Sequence, residues 1–311
     1  MLDQLIELAQ IQGGIDTECR FGGTWQYSTP LMQNTAVIHI ARSGQGWLYL
    51  KHKKIKVKTG DVLFFPHGSA HQLIHFQENT DQISFQEETF SAPAEIESIK
   101  QASGLTLKTN HMQQQNLNLF CAHFSYAKHA DLFIQLPDLV QLNIKQLLLE
   151  PLLNLLEQET IQEIGQIKVI NALSEVLLVY IFRSFLNQQS QSSQEISAIP
   201  RLIEWNSSKL NRLIHAILQF PESKWSLDDM SQFLHCSRIQ LIRIFKKDLN
   251  ITPHAFLLKI RLQHAALQLK ISHLPIYNIA LNLGFQSETH FGRVFKQHYG
   301  MTPHLYRNTT Q

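Results

Sequence analysis

No run of about 18 uninterrupted apolar residues occurs in this 311-residue chain, so no segment reads as a membrane-spanning helix. The most apolar stretch, VINALSEVLLVYIF at 169–182, is broken by Asn171, Ser174 and Glu175. The opening residues, MLDQLIELAQIQGG, hold an early Asp3 and no basic cluster, so they are not expected to act as a secretory signal. Cysteine is scarce, three residues in all. That excludes a disulfide-built scaffold and suits a reducing compartment, so a cytoplasmic location is expected. Charge is scarce too, at 17% of residues against 44% hydrophobic. The chain therefore reads as globular, and its length suggests two domains with ample material for their cores.

The net charge of +2 hides an asymmetry. Residues 201–311 hold 14 Lys/Arg against 6 Asp/Glu, a surplus of 8, and residues 1–200 hold 13 against 19, a deficit of 6. A basic C-terminal third points to a polyanion-binding module joined to something else. Basic surfaces are common, so this signal needs support from a motif.

Residues 24–86 read as short strands. TWQYS, TAVIHIA, GWLYLKH, KIKVK, DVLFFP and HQLIHF are rich in β-branched and aromatic residues, with Gly, Asn and Pro between them. Their spacing predicts a β-barrel or sandwich. Residues 77–116 are more polar and read as an excursion from the sheet, after which NLNLFCAHFSY (116–126) reads as one more strand. From Pro137 onward the apolar residues recur at helical spacing, in LVQLNIKQLLLEPLLNLLEQE and IQEIGQIKVINALSEVLLVYIFRSFLNQ. QQSQSSQEISAIP (188–200) is Gln/Ser-rich and reads as a linker. The expected division is 1–136, a sensor domain; 137–187, a helical segment able to dimerise; 188–200, the linker; and 201–311, nearly all helix.

The last segment writes one sentence twice. RIFKKDLNITPH (243–254) and RVFKQHYGMTPH (293–304) share six of twelve positions: Arg243/Arg293, Phe245/Phe295, Lys246/Lys296, Thr252/Thr302, Pro253/Pro303 and His254/His304. Two copies are too few for a solenoid, so a duplicated small motif is expected. Before the first copy, SLDDMSQFL begins with Ser226 as an N-cap. HC (235–236) is a tight break, and Ser237 caps the next helix. Helix, short turn, helix is the helix-turn-helix pattern. In the second half PIYNIALNL opens with Pro275, Gly284 suits a left-handed stop, and Ser287 caps SETHFGRVFKQHY. Residues 252–270 are long enough for one connecting helix.

On the second helix of each pair, Leu241, Ile244 and Phe245, then Phe291, Val294 and Phe295, recur at core spacing. Arg243 and Arg293 fall on the other face, with Arg238, Ile239, Gln240 and Ile242 in the first copy and Glu288, Thr289 and Gly292 in the second. Those positions suit base edges in a major groove, where Arg meets guanine, Gln meets adenine and Ile touches a thymine methyl. Lys246, Lys296 and the helix N-termini at Ser237 and Ser287 suit phosphates. A bundle that repeats for packing alone does not explain why Arg and Lys recur with the core residues.

The strings M-S-x-x-L-x-C-S-R (230–238), L-x-R-x-F-K-K (241–247), T-P at 252–253 and K-I-R-L at 259–262 carry a resemblance, as does I-A-x3-G-F-x-S-x3-F-x-R-x-F-K-x3-G-x-T-P-x2-Y-R at 279–307. About a hundred residues resemble the DNA-binding part of AraC/XylS transcription regulators. The resemblance implies a double-stranded DNA partner, RNA polymerase as a further partner, and two recognition helices about one DNA turn (~34 Å) apart. This chain departs from the family pattern at Ser231, where the family prefers Ala, and in the apolar outward face of Ile239 and Ile242.

GDVLFFPHGSAH (60–71) fits G-x5-P-x-G-x2-H, a cupin motif, and the expected hairpin turns at Gly60 and Gly68 agree. Metal-binding cupins add H-x-H-x3–4-E on an earlier strand, and that string is absent. His39, His71 and His75 are the residues from which a metal site could be built, and neutral imidazole would suit Zn, Cu, Fe or Ni. Ordinary partly buried or surface histidines are the simpler reading, and no cofactor is required. IDTECRFGGTWQ (15–26) and S-A-H-x-L-x-H (69–75), with Cys121-Ala122 and Leu136-Pro137, resemble the cupin-bearing AraC regulators that respond to reactive chlorine species. That resemblance implies Cys19 and Cys121 as a redox sensor. A sensor thiol must be reachable and rich in thiolate, and Arg20 beside Cys19 would lower its pKa if close. Cysteine is as often a small buried hydrophobe, and Cys236 reads as structural.

The expected fold is α+β: a cupin-like β-barrel with flanking helices, then an all-α domain of two helix-turn-helix units on a long helix. The expected function is a DNA-binding regulator, an activator and homodimer, that answers an oxidant or small-molecule signal. It is not expected to be an enzyme. The alternatives are a small ligand or metal in the barrel, or a cupin enzyme fused to a DNA-binding domain.

Overall fold

The computed structural model describes residues 2–75, 95–101, 104–128, 130, 133, 136–143, 150–159, 164–191 and 209–310. It resolves into two compact units. Residues 12–126 and 136–191 form the first; residues 1–11, 127–135 and 192–311 form the second.

The first unit is a curled sheet of ten strands: β1 (Gln12–Gly22), β2 (Trp25–Thr29), β3 (Thr35–Leu50), β4 (Lys53–Lys58), β5 (Asp61–Phe65), β6 (His71–His75), β7 (Glu97–Lys100), β8 (Thr106–Thr109), β9 (Gln115–Ser125) and β10 (Val140–Asn143). Their main path runs β10-β5-β3-β9-β1-β8-β7, while β2 pairs with β6, and β3 also pairs with β4 and β6. The 16-residue β3 joins the two layers: its first half pairs with β5, and its second half pairs with β4 and β6. Between the layers lies a core of Cys19, Phe21, Trp25, Val37, Leu48, Leu63, Phe65, Leu119 and Cys121. Gly68, in the motif turn, has φ +57, and a Cβ there would sit 2.3 Å from the Met32 carbonyl oxygen, so only glycine closes this turn.

One strand and the first half of another show no alternation. Every residue of β5 is buried, as are Ala36 to Ala41 of β3. A strand covered on both faces reads as a continuous apolar run. The cover is a helix over Gln166–Gln191, whose Leu177, Leu178, Ile181, Phe182 and Phe185 are buried. Phe182 meets Phe64 edge to face at 5.7 Å, and Ser174 Oγ accepts the Ile15 amide of β1 at 2.9 Å.

The helical reading from Pro137 needs one correction. Val140–Asn143 is strand β10, paired antiparallel with β5. Its burial alternates, Val140 and Leu142 in and Gln141 out, and four residues are too few to separate a period of 2 from 3.6. The excursion at 77–116 contributes β7 and β8, with β8 parallel to β1; its residues 77–94 lie outside the described residues. So do residues 192–200 of the expected linker, while the covering helix runs to Gln191.

With α1 (Leu2–Ala9) opening the chain, the helices of the first unit are α2 (Glu150–Glu159) and α3 (Gln166–Gln191). The described residues of the second unit form helices and the turns between them: α1, α4 (Lys209–Gln219), α5 (Leu227–Leu234), α6 (Arg238–Leu249), α7 (Pro253–Ile271), α8 (Ile276–Asn282), α9 (Glu288–Tyr299) and α10 (Pro303–Thr310). Local chemistry sets the boundaries. Ser226 and Ser237 each close a capping box, with Asp229 and Gln240, and His235 and Asn250 end α5 and α6 in the left-handed region. Thr252 caps α7 with Pro253 at its first turn, and Ser287 caps α9. Arg261 of α7 staples the pairs together: its guanidinium donates to the carbonyls of Pro221, Ser223 and Gly284 at 2.7–3.0 Å.

Candidate functional site: a buried cysteine–histidine chain and two surface helices

The antiparallel register of β1 and β9 sets Cys19 opposite Leu119 and Cys121 opposite Thr17. The two cysteines are thus diagonal neighbours on one face, and that face is the core side. Their sulfurs stand 3.7 Å apart, both fully buried and both free thiols. On the other side of β9, the β3 register places His39 directly opposite Cys121. His39 Nδ1 lies 3.0 Å from Cys121 Sγ, and its Nε2 lies 2.7 Å from His71 Nε2. His71 Nδ1 reaches the Ser69 carbonyl at 2.7 Å.

That last bond orients the whole chain. A carbonyl only accepts, so His71 Nδ1 carries the proton. Burial lowers the His71 pKa to about 4, against the pull of the Ser69 carbonyl, so the ring is neutral and its Nε2 is bare. His39 is then the donor through Nε2–H, which leaves its Nδ1 as a bare acceptor. Burial, followed by His71, holds the His39 pKa well below the usual imidazole range, so Cys121 S–H donates to His39 and Cys19 S–H donates to Cys121. One direction of donation runs Cys19, Cys121, His39, His71, Ser69. The Cys19 sulfur beside it, then burial, pushes the Cys121 thiol well above its ordinary value, because two thiolates cannot share so tight a site. The resting site is a pair of free cysteines with an imidazole nitrogen beside Cys121.

Tyr27 and Lys108 complete the surroundings. The β1/β8 register sets Lys108 beside Cys19, and its Nζ donates to Tyr27 Oη at 2.7 Å. Burial pulls the Lys108 pKa down, but the bond to Tyr27 and the charges of Tyr27, Cys19 and Cys121 outweigh it and leave it raised. Burial, then the Cys121 charge, raises Tyr27. Neither residue was among the sequence candidates. Tyr27 was legible, two residues after Trp25 on one strand and so on the same face. Lys108 was not, because β8 joins β1 from nearly ninety residues away.

Two expectations are corrected. Arg20 does not face Cys19: strand alternation turns it to the opposite side, where Glu18 accepts from its Nε at 2.7 Å. His75 does not join His39 and His71. It lies four residues, about 13 Å, further along β6, stacks on Trp25, and donates from Nδ1 to the Gly23 carbonyl at 3.1 Å. It faces a cleft with Lys58, Met112 and Asn116, whose buried Oδ1 has no partner among the described residues. Among the described residues no group of three or more His, Cys, Asp or Glu side chains is placed to hold a metal ion.

In the helical unit, Leu241, Phe245, Phe291 and Phe295 are buried, while Arg243, Lys246, Arg293 and Lys296 are exposed. Ile239 is 80% exposed, Glu288 and Thr289 are exposed, and Ile242 and Gly292 are half-buried. Two candidate side chains are engaged inside the first pair: Arg238 with the Asp228 carboxylate, and Gln240 Oε1 with the Ser237 amide at 3.0 Å. Ser287 accepts from the His290 amide. Cys236 lies partly buried in the turn between α5 and α6.

A helix-turn-helix domain family matches residues 230–309, and a cupin family matches residues 1–187. The chain is similar to the HTH-type transcriptional regulator MtrA of Neisseria gonorrhoeae, at 37% identity over 99% of this chain and 97% of that one. It is similar to an uncharacterized HTH-type transcriptional regulator of Haemophilus influenzae, at 34% over 99% and 98%. A third relative, the RCS-specific HTH-type transcriptional activator RclR of Escherichia coli, is 24% identical over 98% of this chain and 96% of its own.

Proposed function

This chain belongs to the helix-turn-helix transcription regulators, AraC/XylS-like, that carry an N-terminal cupin domain, and we propose that it is an activator switched by oxidation of Cys19 and Cys121. It is a DNA-binding transcriptional regulator with a cupin-like sensory domain, as its full-length relatives are regulators rather than enzymes.

The observation that carries the proposal is the 3.7 Å contact between two buried thiols 102 residues apart, backed by a bare imidazole nitrogen. A hypohalous acid supplies balanced chemistry. One thiol reacts with hypochlorous acid to give a sulfenyl chloride and water. The second thiol attacks that sulfur, chloride leaves, and its proton goes to His39 Nδ1. The dithiol is oxidised by two electrons, and the chlorine is reduced to chloride. Burial favours a small neutral oxidant over a charged one. Closing the sulfurs from 3.7 Å to a bond of about 2.05 Å moves them by about 1.6 Å. Diagonal positions do not reach that without backbone movement of β1 against β9. Strand β1 is tied to α3 through the Ile15–Ser174 bond, and α3 is the last described element before the segment that leads to the DNA-binding helices. Oxidation then biases a two-state element.

On DNA, the exposed faces of α6 and α9 read bases through Ile239, Ile242, Arg243 and Arg293, with Thr289, Glu288 and Gly292 on the same face. Lys246, Lys296 and the N-termini at Ser237 and Ser287 hold phosphates. Arg238 and Gln240 join them by exchanging their surface partners for DNA. Leu155, Ile167, Val176 and Tyr180 on α2 and α3 are exposed apolar side chains, which supports a homodimer through this segment. As an activator it would meet RNA polymerase beside its site.

The test is differential alkylation with intact mass on protein given one equivalent of hypochlorous acid, with operator binding and transcription followed alongside. A reducible Cys19–Cys121 bond and a matching change in either readout are expected. Unmodified cysteines, or an unchanged response in Cys19→Ser and Cys121→Ser, defeat the proposal.

A further inference from the structure

We propose that the reduced Cys19–Cys121 pair is also a clamp for a single monovalent soft cation, with copper(I) as the chemical class. The inference rests on reading this pair as the place where the signal is received.

Ligand type argues first. Two thiols form a soft donor set, and soft thiolates favour copper(I) over hard ions. Coordination number argues second. Structural zinc closes four ligands, and hard divalent ions want six or more oxygens. Among the described residues no group of even three such ligands is placed for a metal. A two-thiolate bridge is what the site offers, and copper(I) accepts it. Geometry argues third. With metal–sulfur bonds of roughly 2.3 Å, sulfurs 3.7 Å apart subtend an angle of about 107° at a bridging ion, and a straight bridge needs only about 0.9 Å of opening. The same sulfurs must close by about 1.6 Å for a disulfide, so the resting spacing lies nearer the clamp.

Charge argues fourth. Binding converts two thiols and Cu⁺ into a bis-thiolate cuprate of charge −1 and releases two protons, with no change of oxidation state. The Cys121 proton has its first acceptor in His39 Nδ1, 3.0 Å away, and both protons pass on to solvent. The remaining −1 lies beside Lys108, which the β1/β8 register sets next to Cys19 and whose Nζ is held by Tyr27 Oη at 2.7 Å. One buried anion beside one half-buried cation is a neutral site. A divalent ion with the same two thiolates and Lys108 would leave an unbalanced positive charge in the core.

The experiment is a competition titration of the reduced full-length protein, without oxygen, using ascorbate-reduced copper and a colorimetric copper(I) chelator. One copper per chain is expected, with native mass showing the loss of two protons. Cys19 and Cys121, slow to alkylate because they are buried, become slower still on the unmutated protein when copper is bound, and Cys236 does not. Cys19→Ser and Cys121→Ser abolish retention against the chelator, Cys236→Ser leaves it unchanged, and His39→Gln weakens it about ten- to hundred-fold. Copper lost to the chelator, copper protecting Cys236 instead, or copper held equally well by both serine variants overturns the proposal. An oxidant response without copper retention removes the clamp and leaves the redox switch. Copper retention with cysteines inert to hypochlorous acid does the reverse.

Discussion

Substituting His71 by Gln should flatten the pH dependence of the sensory unit's stability. His71 is 4% exposed, stacks on Phe65 at 3.8 Å and spends its Nδ1 proton on the Ser69 carbonyl. Folding lowers its pKa from 6.5 to about 4. Above pH 6.5 neither state is protonated there, so the group adds no pH dependence. Between 6.5 and 4 the unfolded chain binds a proton that the folded chain refuses. Stability then falls with falling pH by about 1.4 kcal/mol per unit, and the loss levels off below 4. The whole span is worth about 3.4 kcal/mol, and about 2 kcal/mol is gone by pH 5. His39 shifts in the same direction and steepens the fall. In the variant the amide oxygen still accepts from His39 Nε2–H, and no proton binds at position 71. Its absolute stability is lower, since the Ser69 bond and the ring stack are gone, but its slope between pH 7 and 5 should be shallower by about 2 kcal/mol. Urea titrations read by hydrogen exchange of peptides over β5 and β6 report this unit by itself. Equal losses in the two proteins, within about 0.5 kcal/mol, would refute the neutral His71 and with it the direction of donation from Cys19 to Ser69.

The DNA-binding helices and their joint carry the other expectations. Arg243→Ala should cost about 1–3 kcal/mol on the operator and relax sequence preference, measured by binding to single-base operator variants. Lys246→Ala should instead weaken all sequences alike and reduce the salt slope by about one, and unchanged affinity in both would place the recognition face elsewhere. Gly284→Ala should destabilise the helical unit: φ is +77, and the new Cβ would lie 2.7 Å from both Arg261 Nη2 and the Glu222 carbonyl oxygen. The left-handed backbone alone costs about 1–2 kcal/mol, so a melting curve matching the parent would contradict the Arg261 staple.

The helical unit was almost wholly legible in the amino-acid sequence. Ser226, Ser237 and Ser287 cap the helices they were expected to cap, Gly284 takes the left-handed stop, and residues 253–271 form one helix. Each of those outcomes is decided by hydrogen bonds three or four residues long, which a local pattern contains in full. The cupin turn at Gly68 was legible for the same reason. The sensory site was legible only as a set of residue types. Cys19, Cys121, His39 and His71 could be named, but their meeting depends on the registers β1/β9 and β3/β9, which close loops of about eighty to a hundred residues. Register also brought in Lys108, and long-range pairing made a strand of Val140–Asn143, whereas strand alternation alone turned Arg20 away from Cys19. A one-residue slip of β1 or β3 against β9 turns Cys19 or His39 away from Cys121. Local bonding therefore settled which segments coil, cap and turn, while burial of both sheet faces settled which thiol meets which imidazole.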